Sequence, residues 1–331
     1  MPPTIQPGVV LRARYRIVQV LNQSRHANVY LVEDQHLTGR VWAVREMQLL
    51  AVDNYEKNRV MAQFQAEALR LSQLSHANLA KVLDFFIEGN NLYIVREYVH
   101  GTPLGQMLSG RAMPLSEREA LNCLGQILEA ITYLMSNKVP AVFFRELTAE
   151  NILVSKSGSV KIIDLGLAGL FATGGPDSQQ RVGSLDYASP EQFSENGAFD
   201  QRSLVYSLGA MLYHMLTRRN PALSPFALEP IEEINPNITP AVEDIVHRCT
   251  EIDPRDRFAT LADLKKNLAQ AVKTPNAPKG RGAKSSAWDG AADAFHEESG
   301  ENSVWNWALG IFLLTLMSGA LLAIYYYILR P

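Results

Sequence analysis

The feature that most constrains this chain is a change of period partway along it. Between Tyr15 and Met47 the apolar residues fall in short, β-branched and aromatic-rich runs, "YRIVQVL", "NVYLVED" and "VWAVREM". Runs of this kind predict successive strands. "MAQFQAEALRLSQL" then carries its apolar residues at helical spacing, and "LAKVLDFFIEGNNLYIVREYV" predicts a strand pair turning at Gly89-Asn90-Asn91. From Ser116 onward the period is helical, in "EREALNCLGQILEAITYLMS", "SLVYSLGAMLYHMLT", "AVEDIVHRCTEI" and "LADLKKNLAQAV". A small sheet with one helix, followed by a larger helical body, is an α+β plan of two lobes. Its expected bounds are residues 15–272, with the β-rich lobe at about 15–99 and the helical lobe at about 100–272.

Composition shifts on both sides of that unit. Residues 1–14 form an N-terminal extension, in which Met1 to Gly8 lacks the apolar stretch of a signal peptide. Residues 273–303 are rich in small residues, Pro, Gly and charge, which predicts a flexible linker. "WALGIFLLTLMSGALLAIYYYIL", Trp307 to Leu329, follows with no charged side chain. As a helix it spans roughly 34 Å, enough to cross a hydrocarbon core with some tilt. Trp305 and Trp307 flank one end and Tyr325, Tyr326 and Tyr327 the other, as interfacial aromatic belts do. Lys273, Lys279, Arg281 and Lys284 precede the run and Arg330 follows it. That bias predicts a single-pass membrane protein whose large N-terminal part lies in the cytoplasm. Gly319 and Ala323 form a small-residue pair through which the span could make a homodimer.

Several function classes drop out on composition. A formal net charge of -3 gives no case for nucleic acid. Cys123 and Cys249 are far apart and fit no C-x-x-C pattern, so they read as small buried apolar groups in a reducing compartment. The histidines show no metal-ligand spacing, so zinc is not expected.

The motifs "FQAEALRLSQLSHANL", "ENILV", "IIDLGLA" and "GSLDYASPEQF", in that order along the folded part, resemble those of the bacterial eukaryotic-like (Hanks-type) serine/threonine protein kinases. "FQAEALRLSQLSHANL" is similar to the family's small-lobe helix and implies an ion-pairing glutamate at Glu67. "ENILV" looks like the end of the catalytic loop, and "IIDLGLA" like the D-F-G region. The resemblance implies metal ligands at Asn151 and Asp164, with the turn glycine at Gly166. "GSLDYASPEQF" resembles the segment ending in A-P-E, which implies a buried pair between Glu191 and Arg257 of "DPRDRF". Leu21, Val29, Ala43, Arg45, Glu97, Val99 and Leu153 would line the nucleotide site. Thr173, Ser178 and Ser184 would be hydroxyls of the activation segment. The implied cofactors are ATP with Mg²⁺ or Mn²⁺, weakly held.

The departures from the family pattern bear on function. Asn22, Ser24 and Ala27 stand where the family has three loop glycines, whose backbone closes over the phosphates. Arg45 stands at the phosphate-contacting lysine, and its planar fork is no equivalent of an ammonium. The H-R-D of the catalytic loop reads Phe144-Arg145-Glu146, with Thr148 at the following lysine. Glu146 at the base position carries its carboxylate one methylene further out, and misplacement by about 1 Å can lower a rate on the order of a hundredfold. Arg96 takes the usually apolar position before the hinge, where a guanidinium needs a partner such as Glu67 or Asp164. Leu204 replaces an aspartate that braces the catalytic loop, which suggests an apolar column of Leu71, Val82, Leu165 and Phe144.

Two readings follow. One is a membrane-tethered pseudokinase that scaffolds signalling and holds nucleotide weakly. The other is an inefficient serine/threonine kinase with Glu146 as catalytic base, Arg45 as phosphate ligand and Glu67 as its ion-pair partner. The lost functions favour the first. The protein partner or substrate is not legible in either.

Overall fold

The computed structural model describes residues 4–24, 27–49, 53–137, 147–164, 186–193 and 199–273. Phe144, Glu146, Leu165, Gly166, the activation-segment hydroxyls, the linker and the expected span Trp307 to Leu329 lie outside the described residues. Among the described residues no helix is long and apolar enough to cross a membrane.

Strands Val10–Leu11 (β1), Tyr15–Gln23 (β2), Ala27–Asp34 (β3), Val41–Gln48 (β4), Val82–Glu88 (β5) and Asn91–Glu97 (β6) form a six-stranded sheet in the order β1-β2-β3-β4-β6-β5. All neighbours in it are antiparallel. The β5–β6 turn closes at Gly89, whose φ of 62° suits a residue without a Cβ. Helix Asn54–Ser72 (α1) begins well before the periodic run at Met61, because the Asp53 carboxylate accepts the Glu56 N–H at 2.7 Å. Its apolar stripe of Val60, Phe64, Ala68 and Leu71 is buried, and Phe64 meets Phe85 edge-on at 6.3 Å.

Strand alternation assigns the two faces of this sheet different work. On β4, Ala43, Arg45 and Met47 share one face while Trp42, Val44 and Glu46 share the other. Register places Val29 and Ile94 opposite Arg45, and Leu31 and Arg96 opposite Ala43. The far face holds a core of Tyr15, Tyr30, Val32, Val44, Tyr93 and Val95. Glu46 is buried beside it, and its carboxylate accepts from Asn28 Nδ2 at 3.0 Å, Tyr30 Oη at 2.6 Å, Asn91 Nδ2 at 2.8 Å and Tyr93 Oη at 2.9 Å. Four donors fill a carboxylate's acceptor sites, so this buried acid is satisfied by neutral groups. Sequence patterning did not find it.

A second sheet of Thr102–Pro103 (β7), Ile152–Val154 (β8) and Val160–Ile162 (β9) opens the larger lobe. Helices Leu104–Gly110 (α2), Glu117–Ser136 (α3), Gln201–Thr217 (α4), Ile231–Ile234 (α5), Pro240–Cys249 (α6) and Leu261–Lys273 (α7) make up the rest. Helix α3 starts where the pattern predicts, because Ser116 and Glu119 cap each other reciprocally. Helix α4 is buried from Ser203 through Thr217 and is accordingly apolar around most of its circumference. It approaches α6 closely at Gly209, where an added Cβ would stand 2.2 Å from the Cβ of Cys249. The whole is the two-lobe plan that the resemblance implies, a β-rich small lobe and a helical large one.

The expected pair of the large lobe is present. Arg257 donates to both Glu191 oxygens, at 2.8 and 2.9 Å, and to the carbonyls of Glu251, Arg202 and Ile252 at 2.7 to 3.1 Å. Its side chain has no exposed surface. Burial pushes the Glu191 carboxyl pKa up, but hydrogen bonds from Arg257 and Ser203 outweigh that and hold it below the ordinary value. A depressed folded-state pKa stabilises above the unfolded value of about 4.3 and ceases to do so as pH falls through the folded one. Glu191→Gln leaves Arg257 uncompensated, so urea unfolding at pH 7 should show a loss of about 3 kcal/mol or more. The same variant should flatten the decline of stability below about pH 4. Unchanged midpoints at both pH values would contradict this role.

Candidate active site

Three elements converge under the small sheet. β4 carries Arg45, β6 ends at Arg96 and Glu97, and β9 runs into Ile163 and Asp164. Backbone bonds lock the third element in place. Ile162 N donates to Asn78 O at 2.9 Å, Ala80 N to Ile162 O at 2.9 Å, and Ile163 N to Asn151 O at 2.9 Å. Asn78 Nδ2 adds a bond to Val160 O at 2.8 Å. The two expected metal ligands, Asn151 and Asp164, are thereby brought onto adjoining strands of backbone.

The charges around them are arranged differently from the expectation. Arg45 forms its described ion pair with Asp164, both side chains being largely buried at 12% and 15% exposure. Glu67 on α1 ion-pairs with Arg70 at 3.7 Å, and its Oε2 is buried with no hydrogen-bond partner. The Glu67–Arg45 pairing is therefore replaced by Arg45–Asp164. An arginine fork bonds a planar carboxylate well, and here the carboxylate within its reach is that of Asp164.

Arg96 pairs with neither Glu67 nor Asp164. It is 7% exposed, its Nη1 donates to the Ile163 carbonyl, and its buried Nε has no partner. Burial first, and the Arg45 charge second, push its pKa down to about 9, so it is still a cation at neutral pH. Leu71 and Val82 of the expected apolar column line a cavity beside Arg96, and Leu204 is buried in α4.

The expected adenine-side positions differ in burial. Ala43 is buried, and Val29, Val99 and Leu153 are half-buried. Leu21 falls at a bulge between Val20 and Asn22 and is 36% exposed. Glu97 accepts from Lys161 Nζ at 2.9 and 2.7 Å, which ties the end of β6 to β9. Lys161 escaped the sequence reading; its position shortly before Asp164, on the strand facing the hinge, was the available signal. Glu146 lies outside the described residues.

The β2–β3 hairpin that would cover phosphates persists without glycines. Ser24 closes it: its N–H donates to Ala27 O at 2.9 Å, its Oγ donates to the same carbonyl at 2.8 Å, and Ala27 N–H donates back to Ser24 Oγ at 3.0 Å. Both amides are used internally, whereas in the family the loop backbone is turned on the phosphates.

One carboxylate and one amide, Asp164 and Asn151, are oxygen donors suited to a hard divalent ion. As arranged, one oxygen of that carboxylate, Oδ2, is engaged by the Arg45 guanidinium.

The protein kinase domain family matches residues 15–269, and the chain belongs to that family. It is 28% identical to the serine/threonine-protein kinase PrkC of Bacillus subtilis over 96% of this chain and 53% of that protein. It is 32% identical to the probable serine/threonine-protein kinase PknB of Lactococcus lactis over 81% of this chain and 43% of that protein. The chain thus spans about half the length of the curated relatives it matches. Among solved structures, the PknI kinase domain of Mycobacterium tuberculosis superposes with a TM-score of 0.63 at 20% identity, covering 81% of this chain and 100% of that one. Kinases of this family use ATP with Mg²⁺ or Mn²⁺.

Proposed function

We propose that this chain is a pseudokinase, a membrane-tethered signalling scaffold that binds nucleotide weakly and transfers phosphate poorly or not at all. The observation that carries the reading is the ion pair between Arg45 and Asp164. It joins the phosphate-contacting position to the metal-binding position and leaves both occupied by each other. The closed Ser24–Ala27 turn supports the reading, because it withdraws two amides from the phosphate path. So do Glu146 and Thr148 at the base and cation positions of the catalytic loop.

The alternative, an inefficient serine/threonine kinase with Glu146 as base, draws on a different observation. Asn151 and Asp164 are still held side by side by the Ile163–Asn151 backbone bond. Arg45→Lys combined with Glu146→Asp restores the two most direct losses. Transfer of labelled γ-phosphate by this double variant should remain far below that of an ordinary kinase, because positioning groups act as a unit. Near-normal autophosphorylation of the double variant would refute the pseudokinase reading. Robust activity of the unaltered chain, abolished by Glu146→Gln, would establish the alternative.

The membrane part of the proposal rests on the charge-free run Trp307 to Leu329 and the basic residues before it. It places the kinase-like domain, residues 15–272, in the cytoplasm behind the 273–303 linker, with Gly319 and Ala323 available for pairing two spans. The partner is a protein rather than a nucleic acid, given the net charge of -3. The full chain should sediment with membranes and resist carbonate and high-salt extraction, yielding only to detergent. Release by carbonate alone would contradict a spanning anchor.

A further inference from the structure

Beside the Arg45–Asp164 pair lies a cavity of about 40 Å³, lined by Arg45, Arg96 and Asp164 together with aliphatic residues including Leu71, Leu74 and Leu79. About 10–15 Å³ of such space suffices for one water, so this cavity accommodates a molecule of a few heavy atoms. Its described walls carry two guanidiniums and one carboxylate, an excess of one positive charge. The carboxylate is engaged by Arg45. Arg96 is more than nine-tenths buried, makes one described bond to the Ile163 carbonyl, and holds a buried Nε with no partner. An unpartnered donor of a buried cation is strongly unfavourable, and an anion accepting from it would relieve the penalty.

We propose that this cavity is a binding site for a small monovalent carboxylate of the size of acetate. The carboxylate oxygens accept from Arg96 Nε and balance the excess charge, and the alkyl end packs on Leu71, Leu74 and Leu79. Chloride would satisfy the charge but leave the aliphatic wall unfilled. Doubly charged phosphate or sulfate would over-compensate a single excess charge. The site shares Arg45 and Asp164 with the expected nucleotide and metal positions, whereas Leu21, Val29 and Leu153 do not line it, and the inference does not depend on whether phosphotransfer persists.

The competing partner for Arg96 is Glu67, one turn before Leu71 on α1, whose buried Oε2 is ion-paired with Arg70 at 3.7 Å but accepts no hydrogen bond. A shift of that helix could bring the two groups together and close the cavity, and the experiment separates the two arrangements. The full chain, held in a mild non-ionic detergent, is titrated with sodium acetate replacing sodium chloride at constant ionic strength. A saturable upward shift in melting temperature is expected, with labelled acetate retained at one site per chain in equilibrium dialysis. Arg96→Met should abolish the shift and weaken retention by about tenfold or more. Leu74→Phe, which fills the cavity and keeps both guanidiniums, should do the same, so the result does not hang on one variant's folding. No saturable effect beyond chloride would overturn the proposal, as would equal retention by either variant. Destabilisation by Glu67→Gln in the parent but not in Arg96→Met would also overturn it, by identifying Glu67 as the partner.

Discussion

The small lobe of this protein is organised around what happens to two largely buried guanidiniums, those of Arg45 and Arg96. Arg45 and Arg96 project from the same face of the sheet, one opposite Ile94 and the other opposite Ala43. Neither can be neutralised by losing a proton near pH 7, so each must find an acceptor in a largely buried space. Arg45 takes the Asp164 carboxylate. Arg96 takes the carbonyl of Ile163, the residue just before it. Both arginines therefore bear on two consecutive residues, Arg96 on the backbone of Ile163 and Arg45 on the side chain of Asp164. The segment that would present a metal to nucleotide becomes the strut that accommodates two cations.

A third arginine shows how far from ideal that arrangement is. Arg257 spends its guanidinium on two carboxylate oxygens and three carbonyls, with Tyr206 beneath the plane at 4.8 Å from ring centre to guanidinium carbon. That pattern is what makes a fully buried cation tolerable. Arg96 has one such bond and an idle Nε at nearly the same burial. The contrast sets Arg96, close to Asp164, apart from the fully partnered cation of the large lobe.

Much of this could be read in the residues, and the exceptions have a common cause. Helix α3 and the β5–β6 hairpin were legible because local signals agreed with tertiary ones: a capping box at Ser116, a turn glycine at Gly89. The Glu191–Arg257 pair was legible through the family motif. Helix α1 was read short because its first turns are polar and only the Asp53 cap announces them. Pairings across the site were less legible. Sequence puts Glu67, Arg45, Arg96 and Asp164 in one neighbourhood, but which acid meets which base depends on side-chain reach and on the seating of α1. The Glu46 network failed for a related reason, since four neutral donors from separate strands leave no pattern along the chain. Lys161 on Glu97 is likewise a contact between lobes, invisible to any local window.

The account turns on Asp164 being committed to Arg45 rather than offered to a metal ion. Affinity of the full chain for a fluorescent ATP analogue, measured with and without millimolar Mg²⁺, tests that point directly. An ordinary kinase site depends on the metal to neutralise the phosphates and bridge them to its aspartate. Here Mg²⁺ should change the dissociation constant by less than about tenfold, under ~1.4 kcal/mol, and Asp164→Ala should leave that small difference unchanged. Tightening by Mg²⁺ of more than about tenfold, lost in Asp164→Ala, would contradict the account.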